Sequence, residues 1–156
     1  AFELGKDIGL ENTEISNILT IANVISISGG ALVYLIGTKF GRTIPLIFGI
    51  SLSAIFTFLL HYSDNVSIYF IANTVTGIAW GFTIPYILGL CSTFDTHGQM
   101  AALAGFISKM GLASGPLIGS LFIIEYGIGF IINVAFISLL VAMVVSWYSS
   151  KAAEAK

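Results

Sequence analysis

The chain has 156 residues, of which 56% are hydrophobic and 9% charged, with a mean hydropathy of +0.97 and a formal net charge of −2. Its 6 basic and 8 acidic side chains cannot clothe a water-facing surface, where about a quarter of residues are ordinarily charged. A soluble enzyme, a nucleic-acid binder built on a basic patch and a disordered chain are excluded; this is the composition of a protein embedded in a bilayer.

The opening stretch, residues 1–14, carries Glu3, Lys6, Asp7, Glu11 and Glu14 and no apolar h-region, so it is no signal peptide. It reads as an extracytoplasmic loop of something longer. Asn12 or Thr13 is placed to cap the first helix, with Glu14 favourable in its positive first turn. Five apolar runs follow, each about long enough to cross a hydrocarbon core as a helix. They cover residues 15–37, 44–62, 67–90, 99–123 and 127–148, with polar breaks at 38–43, 63–66, 91–98 and 124–126. Continuous apolar runs favour helices over barrel strands, which would alternate polar with apolar. Breaks this short make consecutive helices antiparallel neighbours. The expected fold is therefore an all-α membrane protein with five transmembrane helices and a tail at 149–156.

Basic residues give the orientation. Lys39, Arg42, Lys151 and Lys156 fall on one side, against Lys6 alone on the other. The expected protein is a multi-pass integral protein of the cell (inner) membrane, with its N-terminus outside and its C-terminus in the cytoplasm.

Two spans are polar along one stripe. In the first, Ser16, Thr20, Asn23, Ser26 and Gly30 follow steps of three and four residues; in the third, Asn73, Gly77, Trp80 and Ile84 do the same, with Thr76 and Thr83 beside them. Such residues serve at helix seams, where Asn can hydrogen-bond across. Two Asn-bearing stripes together point to a hydrated or substrate-lined cavity. Lys109 is the sharpest signal. It lies about ten residues into the fourth span, roughly 15 Å deep at 1.5 Å per residue, where a buried charge costs about 2.5–3.5 kcal/mol. No carboxylate lies at that depth, since Asp64, Asp95 and Glu125 all fall in breaks. Lys109 must meet an anionic substrate, a carboxylate from another segment, or water.

The fourth span also carries Gly111, Gly115 and Gly119 on one face, with Pro116 among them. That pattern suits close helix packing or a bend used in gating, and Pro85 in the third span invites the same two readings. His61 and His97 sit at a membrane edge and in a loop, where interfacial solvation accounts for them. The lone Cys91 excludes an intrachain disulfide and a thiolate metal cluster. No metal, cofactor or nucleophile motif is present, so no enzymatic activity, cofactor or metal is expected.

Between the first two spans stands Tyr34-Leu-Ile-Gly-Thr-Lys39-Phe-Gly41-Arg42-Thr43. It resembles the G-x-L-a-D-R-x-G-R-R loop signature of the major facilitator superfamily, with Lys39, Gly41 and Arg42 at its basic and glycine positions. Thr38 stands where the signature has Asp, as in the degenerate copy between the eighth and ninth helices. The stretch from Gly111 to Ser120 resembles the family's glycine–proline pattern at the eleventh helix, and Asp95-Thr-His-Gly98-Gln99 the D-x-x-G-R loop before it. The resemblance implies helices eight to twelve, a partial six-helix half-bundle, whose first, third and fourth spans would line a central cavity.

It further implies secondary active transport of a small solute by alternating access. Lys109, Asn23, Asn73, Trp80 and Thr20 would lie at the substrate or coupling site. Lys39, Gly41 and Arg42 would belong to a cytoplasmic gate. A positive centre leans toward an organic anion. The implied partners are lipid, the solute, and the N-terminal half and seventh helix of the same transporter. The competing expectation is a five-span scaffold or anchor subunit that transports nothing.

Overall fold

The computed structural model describes residues 1–95 and 97–154. Lys156 of the expected tail and Thr96 of the loop motif lie outside the described residues. The fold is all-helical.

A short helix, α1 (Phe2–Asp7), occupies part of the expected opening loop, with Lys6 paired to Glu3 at 3.1 Å. The next helix, α2 (Asn12–Ser26), is capped by Glu11, not by Asn12 or Thr13. The Glu14 carboxylate reaches back to accept the Glu11 N–H at 3.0 Å, while the Glu11 carboxylate accepts the Glu14 N–H, so an acid at the cap position takes the place of the expected hydroxyl or amide. After Ile27 the chain continues as α3 (Ser28–Ile36). Two local features weaken the helix at that joint. Ser26 Oγ donates to Ala22 O at 2.7 Å, and two glycines follow at 29 and 30. Gly37, at φ 55°, ends α3.

Helix α4 (Thr43–Leu59) closes with a single 3-10 turn, Leu60–Tyr62. Helix α5 (Val66–Thr93) starts at Asn65, whose side chain accepts the Ser67 N–H at 2.8 Å, and runs through Pro85 as one helix. The last helix, α6 (Gln99–Glu154), has 56 residues. Straight, it would be about 84 Å long, far more than one crossing. Gly127 breaks it with φ 76° and ψ 172°, giving arms 99–126 and 128–154. The polar break expected at 124–126 is thus one glycine further on, and one residue wide. Among the described residues, four helical stretches are long and apolar enough to cross a membrane: Asn12–Ile36, Thr43–Tyr62, Val66–Thr93 and Gln99–Glu154.

Apolar surface is as comfortable in lipid as in protein, so helices in a bilayer associate mainly through close packing and hydrogen bonds. That packing centres on α4. On one side, Leu46 and Ile50 meet Phe82, Tyr86 and Leu90 of α5. On the other, the second arm of α6 runs antiparallel: Phe58 stacks near Phe136 at 5.1 Å, Ser51 donates to Met143 Sδ at 3.2 Å, and Thr43 meets Glu154. Positions that descend along α4 meet positions that ascend along the second arm, as an antiparallel pair requires. The buried residues of α6, Ile132 and Ser150, both lie in the second arm. The first arm contributes none.

Candidate functional site

The joint between α2 and α3 sits directly on α5, and glycines make that possible. A Cβ on Gly77 would collide with Ser26 Oγ, and one on Gly29 would collide with the Ile78 carbonyl of α5 and lie 2.9 Å from Phe82 N. A Cβ on Gly81 would stand 3.1 Å from Ser26 O. The two backbones therefore touch at this level, and beside the contact the polar stripes border a cavity of about 560 Å³. Asn23 and Ser26 line it from α2; Asn73, Thr76, Gly77 and Trp80 line it from α5. Leu60 and Leu112 contribute apolar wall.

This wall is polar but uncharged. Asn73 Nδ2 donates to Tyr69 O at 2.8 Å, which orients the amide and leaves its carbonyl oxygen free to accept. Thr76 Oγ1 is buried with no hydrogen-bond partner among the described residues. A buried hydroxyl without a partner is costly. Together with two amides and an indole, it gives the cavity acceptors, donors and an aromatic face, suited to orienting a small polar solute.

Of the expected site residues, Asn23, Asn73 and Trp80 therefore come together. Thr20 lies on an exposed part of α2 and does not line the cavity. Lys109 is exposed on the first arm of α6 and pairs with no carboxylate among the described residues. It is three residues before Leu112, so the two are neighbours on that arm, one of them in the cavity wall. Pro85 and Pro116 are both exposed. No atom stands within 4 Å of a Cβ built on Gly111, Gly115 or Gly119, so no close helix approach uses that face among the described residues. The close approaches are instead at Gly29, Gly49 and Gly77.

A second constellation surrounds the loop before α4. Tyr86 Oη donates to Gly37 O at 2.8 Å, and Arg42 Nη1 donates to Gly89 O at 3.0 Å near the end of α5. The Arg42 and Thr43 N–H groups both donate to Glu154 Oε1, at 3.0 and 3.1 Å. Glu154 thus supplies an anionic cap to the positive end of α4 from the far end of α6. Those donors, the Thr43 N–H foremost, hold its carboxyl below the ordinary glutamate value. Gly41 is needed twice over: its φ is 70°, and a Cβ there would lie 2.7 Å from Glu154 Oε1. Lys39 is exposed beside it.

The loop before α6 uses an acid in the same way. Asp95 Oδ1 accepts the His97 N–H at 3.0 Å, and Oδ2 accepts those of Met100 at 2.6 Å and Ala101 at 3.3 Å. These bonds, the one from His97 first, lower the Asp95 pKa. His61, expected to be merely solvated, lies with Nε2 3.0 Å from Asn133 Oδ1 and ties the end of α4 to the second arm of α6.

Compared with known proteins, the whole chain, residues 1–156, matches the family described as Major Facilitator Superfamily. No curated protein and no solved structure matches it.

Proposed function

Because the chain belongs to the major facilitator superfamily, a family of membrane transporters, we propose that it forms helices eight to twelve of a secondary active transporter. The observation that carries the reading is the convergence of Asn23, Asn73, Thr76 and Trp80 from two helices on one cavity. In this reading that cavity is part of a central solute path. The remaining wall comes from the transporter's other half and its seventh helix, and the open Gly111–Gly115–Gly119 face is where another helix seats.

Transport proceeds by alternating access, the two halves rocking about a site near the midplane. Lys109 supplies charge at that site. It meets either an anionic solute or a carboxylate with which it forms a proton-coupled pair. The loop of Lys39, Gly41 and Arg42 lies on the cytoplasmic side, with the N-terminal end of the chain outside. Support for that sidedness is the placement of Arg42 and Glu154 at one end of the bundle, together with Lys39 and Lys151.

Uptake by the intact protein carrying Lys109→Ala and Lys109→Arg tests the reading. Lys109→Ala is expected to lower kcat/KM by at least about tenfold, the equivalent of about 1.4 kcal/mol. Lys109→Arg separates the two roles, because Arg keeps its charge and cannot be deprotonated in a protein. It preserves recognition of an anion and abolishes proton-driven accumulation. Unchanged kinetics in both variants would refute any role for Lys109 in transport.

A further inference from the structure

A groove of about 710 Å³ lies between α4 and the second arm of α6, well away from the polar cavity. Its composition is graded along its length. At one end stand Lys151, Glu154 and the backbone of Gly41, at the level where both helices reach their charged ends. From there Ile44 and Phe48 on α4, and Trp147 and Met143 on α6, carry an apolar surface inward. Met143 is eight residues from Lys151, about 12 Å deeper along the helix. Phe48 is 60% exposed and Trp147 48%, so the apolar floor is open to an occupant.

Charge at the mouth selects that occupant. The Glu154 carboxylate accepts two N–H groups at the positive end of α4, which commits it to that helix end, although it also feels the charge of Lys151. Lys151 is exposed and pairs with no carboxylate within ion-pair distance among the described residues. An exposed lysine at the mouth, a glutamate already committed to a helix end, a half-exposed tryptophan and an apolar floor running inward match a molecule with an anionic head and hydrocarbon tails. We propose that this groove binds an anionic glycerophospholipid, its phosphate on Lys151 and one acyl chain along Ile44, Phe48 and Met143. The site is independent of the solute path, and its occupancy would brace α4 against the second arm of α6 at the loop that Glu154 caps.

The test uses the intact protein in phosphatidylcholine vesicles that carry a minor fraction of lipid with brominated chains. The brominated lipid is either phosphatidylglycerol or phosphatidylcholine. Quenching of Trp147 is isolated by subtracting the emission of Trp147→Phe protein. One Lys near anionic lipid is worth about 1 kcal/mol, which is about a fivefold preference. Brominated phosphatidylglycerol is therefore expected to associate about fivefold more strongly than brominated phosphatidylcholine. Lys151→Arg should keep that preference and Lys151→Gln should bring it to parity. Lys151 is exposed, so neither change threatens folding. Equal quenching by both headgroups, or a preference untouched by Lys151→Gln, would overturn the proposal. So would the absence of quenching by either lipid, which would mean that a protein helix or a second copy of the chain covers the groove.

Discussion

Gly29 and Gly30 are adjacent in α3, yet a methyl group should act oppositely at the two positions. At Gly30 nothing lies within 4 Å of a built Cβ. At Gly29 the obstacles are the Ile78 carbonyl and Phe82 N of α5, which are backbone atoms that cannot swing aside. The distance of 2.9 Å to Phe82 N must open to roughly 3.5 Å for ordinary contact. Helix α3 must therefore retreat from α5 by about half an ångström or more. Overpacking of this kind costs about 1–3 kcal/mol. Replacing Gly by Ala inside a helix returns about 0.5–1 kcal/mol at either position. That gain cancels in the comparison, so Gly29→Ala should be about 1–3 kcal/mol less stable than Gly30→Ala. Reversible unfolding of the two purified variants in mixed micelles, with increasing denaturing detergent, measures the difference directly. Gly30→Ala should match or exceed the parent. If the two variants unfold together, the backbone contact between α3 and α5 does not limit their packing, and the reasoning fails.

Two further outcomes concern the acids that cap α4 and α6. Glu154 has a folded-state pKa below its ordinary 4.5, so its contribution is full above that value and is lost as pH falls through the lowered one. Amide exchange at Thr43, compared with Glu154→Gln protein, should show protection that is pH-independent near neutrality and that disappears in acid; protection equal in both proteins at neutral pH would remove the cap. Asp95→Ala takes away the acceptor for Met100 and Ala101, so those two amides should exchange faster while Gly105 and beyond are unchanged. Asp95→Asn, which retains an acceptor without the charge, should fall between the two.

The crossing helices were legible because hydrocarbon thickness and helix rise constrain sequence directly. An apolar run of the right length has few alternatives. What escaped was settled by single residues. Gly127 breaks α6 by its backbone angles alone, and the more polar 124–126 stretch beside it stays helical. The joint at Ile27 has no charged residue, proline or loop to announce it. It follows from a serine bonded back to its own helix and from two glycines, one of them pressed on α5. α1 stands where only a charged loop was expected; Gly5 packs against Ile15 and Tyr69, and Tyr69 Oη donates to Ala1 O, contacts from distant residues that no local pattern announces.

Stripe arithmetic found Asn23, Asn73 and Trp80 because steps of three and four identify a helix face. It does not say how far along that face a neighbouring helix reaches, and so it included Thr20, which lies beyond the cavity. It also placed Thr83 beside the Asn73 stripe, whereas Thr83 packs against Gly49 on the side of α5 that meets α4. Glu154 was invisible for another reason: the amide groups it caps are 111 and 112 residues away, and no local pattern spans that distance. Topology supplied a usable signal nonetheless. An even number of crossings separates α4's start from the tail when the Gly127 break is taken as a turn, so any tail acid shares a membrane face with α4's unsatisfied N–H groups. An exposed helix N-terminus and an acid held on the same face by topology can therefore be paired from sequence before any coordinates exist. The Lys39–Arg42 loop then reads less as a free basic patch than as a strap whose backbone is held by Glu154 and whose one guanidinium is already committed to Gly89.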